Sequence, residues 1–336
     1  MLRVQGRAGG LKVLALLGWT MRGELLLVVL VCLLSLPLSP QLGRRLTPDL
    51  VVPLLGVASS VLLAFRLNLS HGRWWEARRL WGALRGHSRA WHLSLIALRP
   101  VLSPGDPQRL RHDLRQLQER QVLLVWTLAA ELRPGLEPVQ PQALETLRRR
   151  VETPAAAWRQ APMAGLEPEE QEGAAGSALR WPCPNAGSRA LLRAQAEALH
   201  GLAAEHGLEP MALSTLTQVL TAMEQPLGAL ERLATTPFPA GYMLLARLMV
   251  WAFGYALFLS LETHTRTLPH AGVLGALLML GFVAAERLSC WHDEPLRNRL
   301  TGLPLGHYCA GLSADLLGPS HPLAQPPQGP QEMVWT

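Results

Sequence analysis

The chain has 336 residues, a net charge of +6 from 31 Lys and Arg against 25 Asp and Glu, and 49% hydrophobic against 17% charged residues. It is richer in apolar residues than an ordinary soluble domain, yet a mean hydropathy of +0.15 is too low for a chain embedded throughout in lipid, so a few membrane helices joined to a substantial aqueous part fit best. The basic excess is almost wholly arginine, with Lys12 the single lysine, and it comes with no nucleic-acid recognition motif, so no nucleic-acid partner is expected.

Residues 1–24 place Arg3, Arg7 and Lys12 ahead of an apolar run. The pattern also fits a signal peptide, but no convincing small-residue cleavage site follows Pro37 and Pro40, and a cytoplasmic segment leading into a retained first helix is preferred. Four uncharged apolar stretches stand out, at 25–42, 50–65, 248–261 and 271–285. A lipid-crossing helix needs about 20 predominantly apolar residues. Three of the stretches fall short of that unless flanking arginines such as Arg66 and Arg247 snorkel to the interface.

The second stretch turns directly into Arg66, Arg73, Arg78 and Arg79, with Trp74, Trp75 and Trp81 among them. Tryptophan favours the headgroup layer and arginine the cytoplasmic side, so a membrane helix is expected to leave the bilayer here. Residues 66–236 then read as a helical cytoplasmic domain. Leu110, Leu114, Leu117, Leu124 and Leu128 form one apolar stripe, and Leu213, Leu216, Leu220, Met223, Leu227 and Leu230 form another after Pro210, a first-turn proline. Between them, prolines from Pro134 to Pro184 leave room for one short helix near 143–151. Residues 237–287 hold the third and fourth membrane helices, 288–318 a cytoplasmic C-terminal segment, and 319–336 a proline-rich tail expected to be disordered. The connections near Arg44-Arg45 and at 263–270 carry fewer positive charges. Both termini and the middle region are therefore expected in the cytoplasm.

No enzyme constellation is present: there is no Gly-rich phosphate loop, HExxH or GxSxG. Cys32, Cys183, Cys290 and Cys309 are too scattered for a zinc site or a disulfide framework, and no cofactor or metal is expected. His292-Asp293-Glu294 cannot all face one ion from a helix and reads as a solvated turn where the chain leaves the membrane. Arg73, Trp74, Trp75, Glu76 and Arg78 read as an interfacial motif whose charges pair at helical spacing. Val57, Val61 and Phe65 repeat every four residues and share one helix face; taken alone, they fit packing against other helices.

The run Ala64-Phe65-Arg66 followed by Arg73-Trp74-Trp75-Glu76-Ala77-Arg78 and Leu80-Trp81-Gly82 resembles the second membrane helix of the bestrophin family in its bacterial branch. Thr236-Pro237-Phe238-Pro239-Ala240-Gly241-Tyr242 is similar to the family's TPIPxxY start of the third helix, and Gly302-Leu303-Pro304-Leu305 to its NDLPL. The resemblance covers roughly residues 12–318. It implies an all-α membrane protein with four transmembrane helices and a helical cytoplasmic domain, assembled around a homo-oligomeric, pentameric pore in the bacterial inner membrane. Carried over residue by residue, Val57, Val61 and Phe65 would line a hydrophobic pore neck, and Met211 a second, cytoplasmic constriction. Two valines stand where the family uses larger residues, which implies a neck that wets more easily.

The implied function is a passive ion channel for chloride or other small ions. A cation-permeable channel, a secondary transporter and a non-conducting scaffold are the alternatives; the transporter reading wants ionisable residues at mid-membrane, whereas Asp49, Glu262 and Glu286 lie at segment ends. The calcium clasp of animal bestrophins is not expected. The zone after the fourth helix has only Asp293 and Glu294, and Pro295-Leu296-Arg297 and Thr301-Gly302 replace the family's PFG and ND.

Overall fold

The computed structural model describes residues 18–19, 21–38, 50–98, 107–158, 187–262, 270–298 and 301–326. The basic N-terminal stretch, Arg44-Arg45, most of the proline-broken region, the 263–269 connection and residues 327–336 lie outside them. Among the described residues the fold is all-helical, with α1 (Arg22–Ser35), α2 (Val51–Leu98), α3 (Pro107–Leu132), α4 (Pro141–Trp158), α5 (Ser188–His206), α6 (Pro210–Ala222), α7 (Glu224–Thr235), α8 (Ala240–Glu262), α9 (Ala271–His292) and α10 (Leu305–Leu317). Single 3-10 turns follow α1 at Leu36–Leu38 and α10 at Pro322–Ala324.

The 48-residue α2 is the spine, about 72 Å long at 1.5 Å per residue. It does not end at Phe65. The change to arginine and tryptophan signals a change of surroundings rather than a helix stop, and no proline interrupts the chain between Pro53, in the first turn, and Leu98. Among the described residues, three helical stretches hold an apolar segment long enough to cross a membrane: Val51–Ala97, Ala240–Glu262 and Ala271–His292. The first apolar stretch forms, among the described residues, the 14-residue α1 and the turn Leu36–Leu38, about 27 Å in all.

Two cores result. The smaller joins Val28 and Cys32 of α1, Leu63 of α2, Val250, Phe258 and Leu259 of α8, and Met279 and Val283 of α9. Helices α8 and α9 approach closely at two glycines. A Cβ on Gly254 would lie 2.7 Å from Met279 Cγ, and one on Gly275 would lie 3.0 Å from Phe258 Cα. Small residues let membrane helices gain van der Waals contact where lipid supplies no hydrophobic drive.

The larger core gathers the rest of α2 with α3, α5, α6, α7 and α10. The expected leucine stripe of α3 is buried there at Leu110, Leu114, Leu117, Leu124 and Leu128. The second stripe is broken in two at Met223, because Pro226 has no N–H to donate and its ring would clash with the carbonyl of Ala222. The Glu131 carboxylate caps α5 from another helix, accepting from Ser188 N at 2.8 Å and Ser188 Oγ at 2.6 Å; negative charge is favourable there. Leu296, Leu303, Leu305, Leu312 and Leu316 pack into the same core. The C-terminal segment and the 66–236 region thus share one interior. Order also continues past Pro319, where a disordered tail is expected from sequence: Leu323 is fully buried, and its N–H bonds to His321 Nδ1 at 3.2 Å.

Candidate functional site

Helix α2 has two contrasting faces in its membrane half. Ser59, Leu63, Arg66 and Ser70 are buried against α8 and α9. Val57, Val61 and Phe65 are 67%, 48% and 60% exposed, with Leu54 and Leu69 beside them. At 3.6 residues per turn the centres of the two sets lie about 170° apart. Among the described residues, then, the three candidate neck residues are each about half or more exposed, and they form an apolar ridge on the side of α2 opposite the buried face. Met211, in the first turn of α6, is 73% exposed.

The buried face is polar at one level. Arg66 has almost no accessible surface, and its Nη1 lies 2.8 Å from Glu286 Oε1 and 3.3 Å from the Met243 carbonyl. Its Nη2 lies 2.8 Å from Cys290 Sγ and 3.5 Å from Asp293 Oδ2. Ser70 donates to Asp293 Oδ1 at 2.6 Å and sits 2.9 Å from Ser289 Oγ. This corrects two expectations. Arg66 does not snorkel outward, and Asp293 is not in a solvated turn; Arg66 faces Glu286 and, less closely, Asp293 in the interior, where an unpaired charge is costly. Nearby, buried Glu24 of α1 pairs with Arg247 of α8 at 3.2 Å and with Arg287 of α9.

The Arg73 to Arg78 motif docks the domain through Arg73, Trp74 and Glu76, while Arg78 stacks along its own helix. Arg73 donates from Nη2 to the carbonyls of Leu233 at 3.1 Å and Thr236 at 2.9 Å, and from Nε to that of Asp293 at 3.3 Å. Trp74 Nε1 donates to the Thr301 carbonyl at 2.8 Å. Glu76 faces Arg232 of α7 at 3.8 Å, and Arg78 lies over both Trp74 and Trp75. Only Trp75 of the pair of tryptophans is largely exposed. Tyr242, which closes the TPFPAGY motif, donates to the Leu62 carbonyl of α2 at 3.2 Å.

Sequence reading misses Arg133. This buried side chain donates to the carbonyls of Leu296 at 2.8 Å, Arg297 at 3.3 Å and Leu303 at 2.6 Å, clamping the segment after α9. Its charge and isolation in sequence give no signal; its partners are about 165 positions away. A cavity of about 460 Å³ opens beside this clamp, lined by Arg73, Thr236, Phe238, Asp293, Glu294 and Arg297. Calcium requires six to eight oxygens. Here Asp293 is committed to Arg66 and Ser70, and Glu294 faces Arg297 at 3.4 Å, so these residues do not fit a calcium ion. Deeper in the domain, burial lowers the Arg120 guanidinium to about 10, Glu197 acting against it, and burial raises Glu197 itself, opposed by Arg120 and Arg193.

A long helix presenting an exposed apolar ridge, packed against further apolar helices and continuous with a second helical core, defines an all-helical membrane protein. The sequence matches the Bacterial/Fungal Bestrophin protein family over residues 19–317, and the chain belongs to that family. Similar proteins include the voltage-dependent anion channel-forming protein RSc3414 of Ralstonia nicotianae, 26% identical over 72% of this chain and 67% of that protein. Another is the voltage-dependent anion channel-forming protein YneE of Escherichia coli K12, 27% identical over 84% of this chain and 80% of its own length. The crystal structure of a point mutant of a bacterial bestrophin homolog from Klebsiella pneumoniae shares the fold, with a TM-score of 0.65 at 23% identity over 89% of this chain and 98% of the other.

Proposed function

We propose that the protein is a passive anion channel, conducting chloride through a homo-oligomeric, pentameric pore in the bacterial inner membrane. The observation that carries this is the ridge Val57, Val61 and Phe65: apolar, exposed on the protomer and opposite the polar anchoring face. Rotational assembly of copies around this ridge gives a hydrophobic neck, which gates by excluding water. The positive edge of a phenylalanine ring and the lower cost of dehydrating anions favour chloride. Met211, exposed at the start of α6, forms the second constriction in the cytoplasm.

The first apolar stretch counts as a fourth crossing. The span of about 27 Å for α1 and its turn approaches the roughly 30 Å hydrocarbon thickness, and Glu24 ties it to α8 and α9. The arginine-rich ends, and with them both termini, face the cytoplasm. Sequence relatives that are themselves named anion channel-forming proteins support the reading.

Reversal potentials in asymmetric potassium chloride across planar bilayers test it. The wild-type value should lie near the chloride potential. Phe65→Ala should raise unitary conductance, since one ring per subunit leaves the aperture. Val61→Asp should move the reversal potential toward the potassium value, because its carboxylates repel chloride. Well-formed oligomers of both variants with wild-type conductance and selectivity would exclude the ridge from the ion path.

A further inference from the structure

The polar face of α2 suggests how the ridge is aimed. Between Ser59 and Ser70, polar contacts hold α2 to its neighbours at four successive levels. Ser59 Oγ donates to the Met249 carbonyl at 2.9 Å, Tyr242 to the Leu62 carbonyl, Arg66 faces Glu286 and Asp293, and Ser70 donates to Asp293. They differ in how strictly they fix rotation. A hydroxyl can move to a neighbouring carbonyl at little cost. A guanidinium facing two buried carboxylates is tied to that side of the helix by charge, and turning α2 by one residue, about 100°, would carry it away from them and leave both carboxylates without their cation. Arg66 is also the residue directly after Phe65.

We propose that Arg66 is a positioning residue: through Glu286 and Asp293 it fixes the rotation of α2 about its axis, and so keeps Val57, Val61 and Phe65 directed out of the protomer. Buried ion pairs contribute little net stability, and replacing all members with neutral groups is often tolerated. The role of this cluster is thus conformational uniqueness rather than folding energy. The consequence for conduction rests on the channel reading above; the rotation itself does not.

The test uses the full chain with the neutral triple change Arg66→Met, Glu286→Gln and Asp293→Asn, which leaves no buried charge stranded. Size-exclusion chromatography in detergent should show the oligomer retained. The rotation is read by placing Leu63→Cys, a buried inward position, in both backgrounds and labelling with a membrane-permeant maleimide. Mass spectrometry of the peptide keeps native cysteines from interfering. Labelling at 63 should be slow in the native background and rise at least fivefold in the neutral one. The conduction readout is Val61→Asp, whose displacement of the reversal potential should fall by at least half in the neutral background.

Equal labelling in the two backgrounds overturns the positioning role. If the triple variant does not assemble, Arg66→Gln with Glu286→Gln and Asp293→Asn, equally free of buried charge, takes its place with the same criterion; failure of this second neutral variant to assemble would mean that the cluster serves folding, again overturning the proposal. If Val61→Asp has no effect in the native background, the neck reading fails, while the labelling still decides the rotation.

Discussion

Arg133 shows what one buried arginine can do for a loop. The planar guanidinium presents several N–H groups in a fixed fork, and here they reach carbonyls on both sides of the segment 296–303. Without the side chain the Leu296 carbonyl, in a buried residue, loses this donor, at about 1–3 kcal/mol for a group left unsatisfied, whereas the Leu303 carbonyl still accepts from Leu305 N at 2.9 Å and that of Arg297, an exposed residue, can turn to water. Arg133→Ala should therefore lower the melting temperature in detergent by several degrees, and Arg133→Lys should recover only part of it, because a compact ammonium cannot span the three acceptors. An unchanged melting temperature for the alanine variant would show that water replaces the guanidinium without cost. Arg66 and Asp293 make the complementary point. Each has a sensible local reading in sequence, as an interfacial arginine and a solvated acid, and each reading fails because the partner lies 227 positions away. Charge pairing across a fold leaves no periodic trace.

At the scale of elements, what is legible in the sequence is what repeats. The leucines of α3 recur at helical spacing, and all five expected positions are buried; the first-turn proline of α6 is where the sequence places it. Boundaries are harder. The end of the second membrane crossing looks like the end of a helix, although α2 runs on for about thirty residues, since solvent changes along a helix without altering its backbone preference. The prolines of the tail suggest disorder, but Leu323 finds a pocket and His321 starts the turn. That turn carries its own pH dependence. Burial holds the His321 imidazole below its usual value, partly offset by Glu119, so the folded protein favours the neutral ring, whose Nδ1 accepts from Leu323 N. A lowered histidine pKa contributes stability fully present above about 6.5 and lost as pH falls through the lowered value. Hydrogen exchange of a peptide spanning 317–326, corrected for intrinsic rates, should be faster at pH 5 than at pH 7.5, and His321→Asn, which can still cap the turn, should remove the difference. Equal protection at both pH values in the native chain would show that protonation is not linked to docking.

Over the whole molecule, charge sorts the helices by end. Ion pairs bring Glu24 of α1, Arg66 of α2, Arg247 of α8 and the Glu286-Arg287 pair of α9 together near one end of the membrane bundle. In chain direction these sit at the start of α1, just past the uncharged first third of α2, about a third of the way along α8 and in the last third of α9. The four helices therefore alternate in direction, and the large core lies beyond the charged end because α2 continues into it. On the proposed orientation that end is cytoplasmic, since cytoplasmic segments carry the excess of basic residues. A reporter fused at Gln140, between α3 and α4, should be cytoplasmic, and one fused at Leu268, between α8 and α9, should lie across the membrane from it. The paired result matters, because a misplaced first helix would leave the relation between α8 and α9 intact but turn the bundle over, exchanging both reporters together. Finding the two on the same side would break the alternation, and with it the reading that α8 and α9 each cross once.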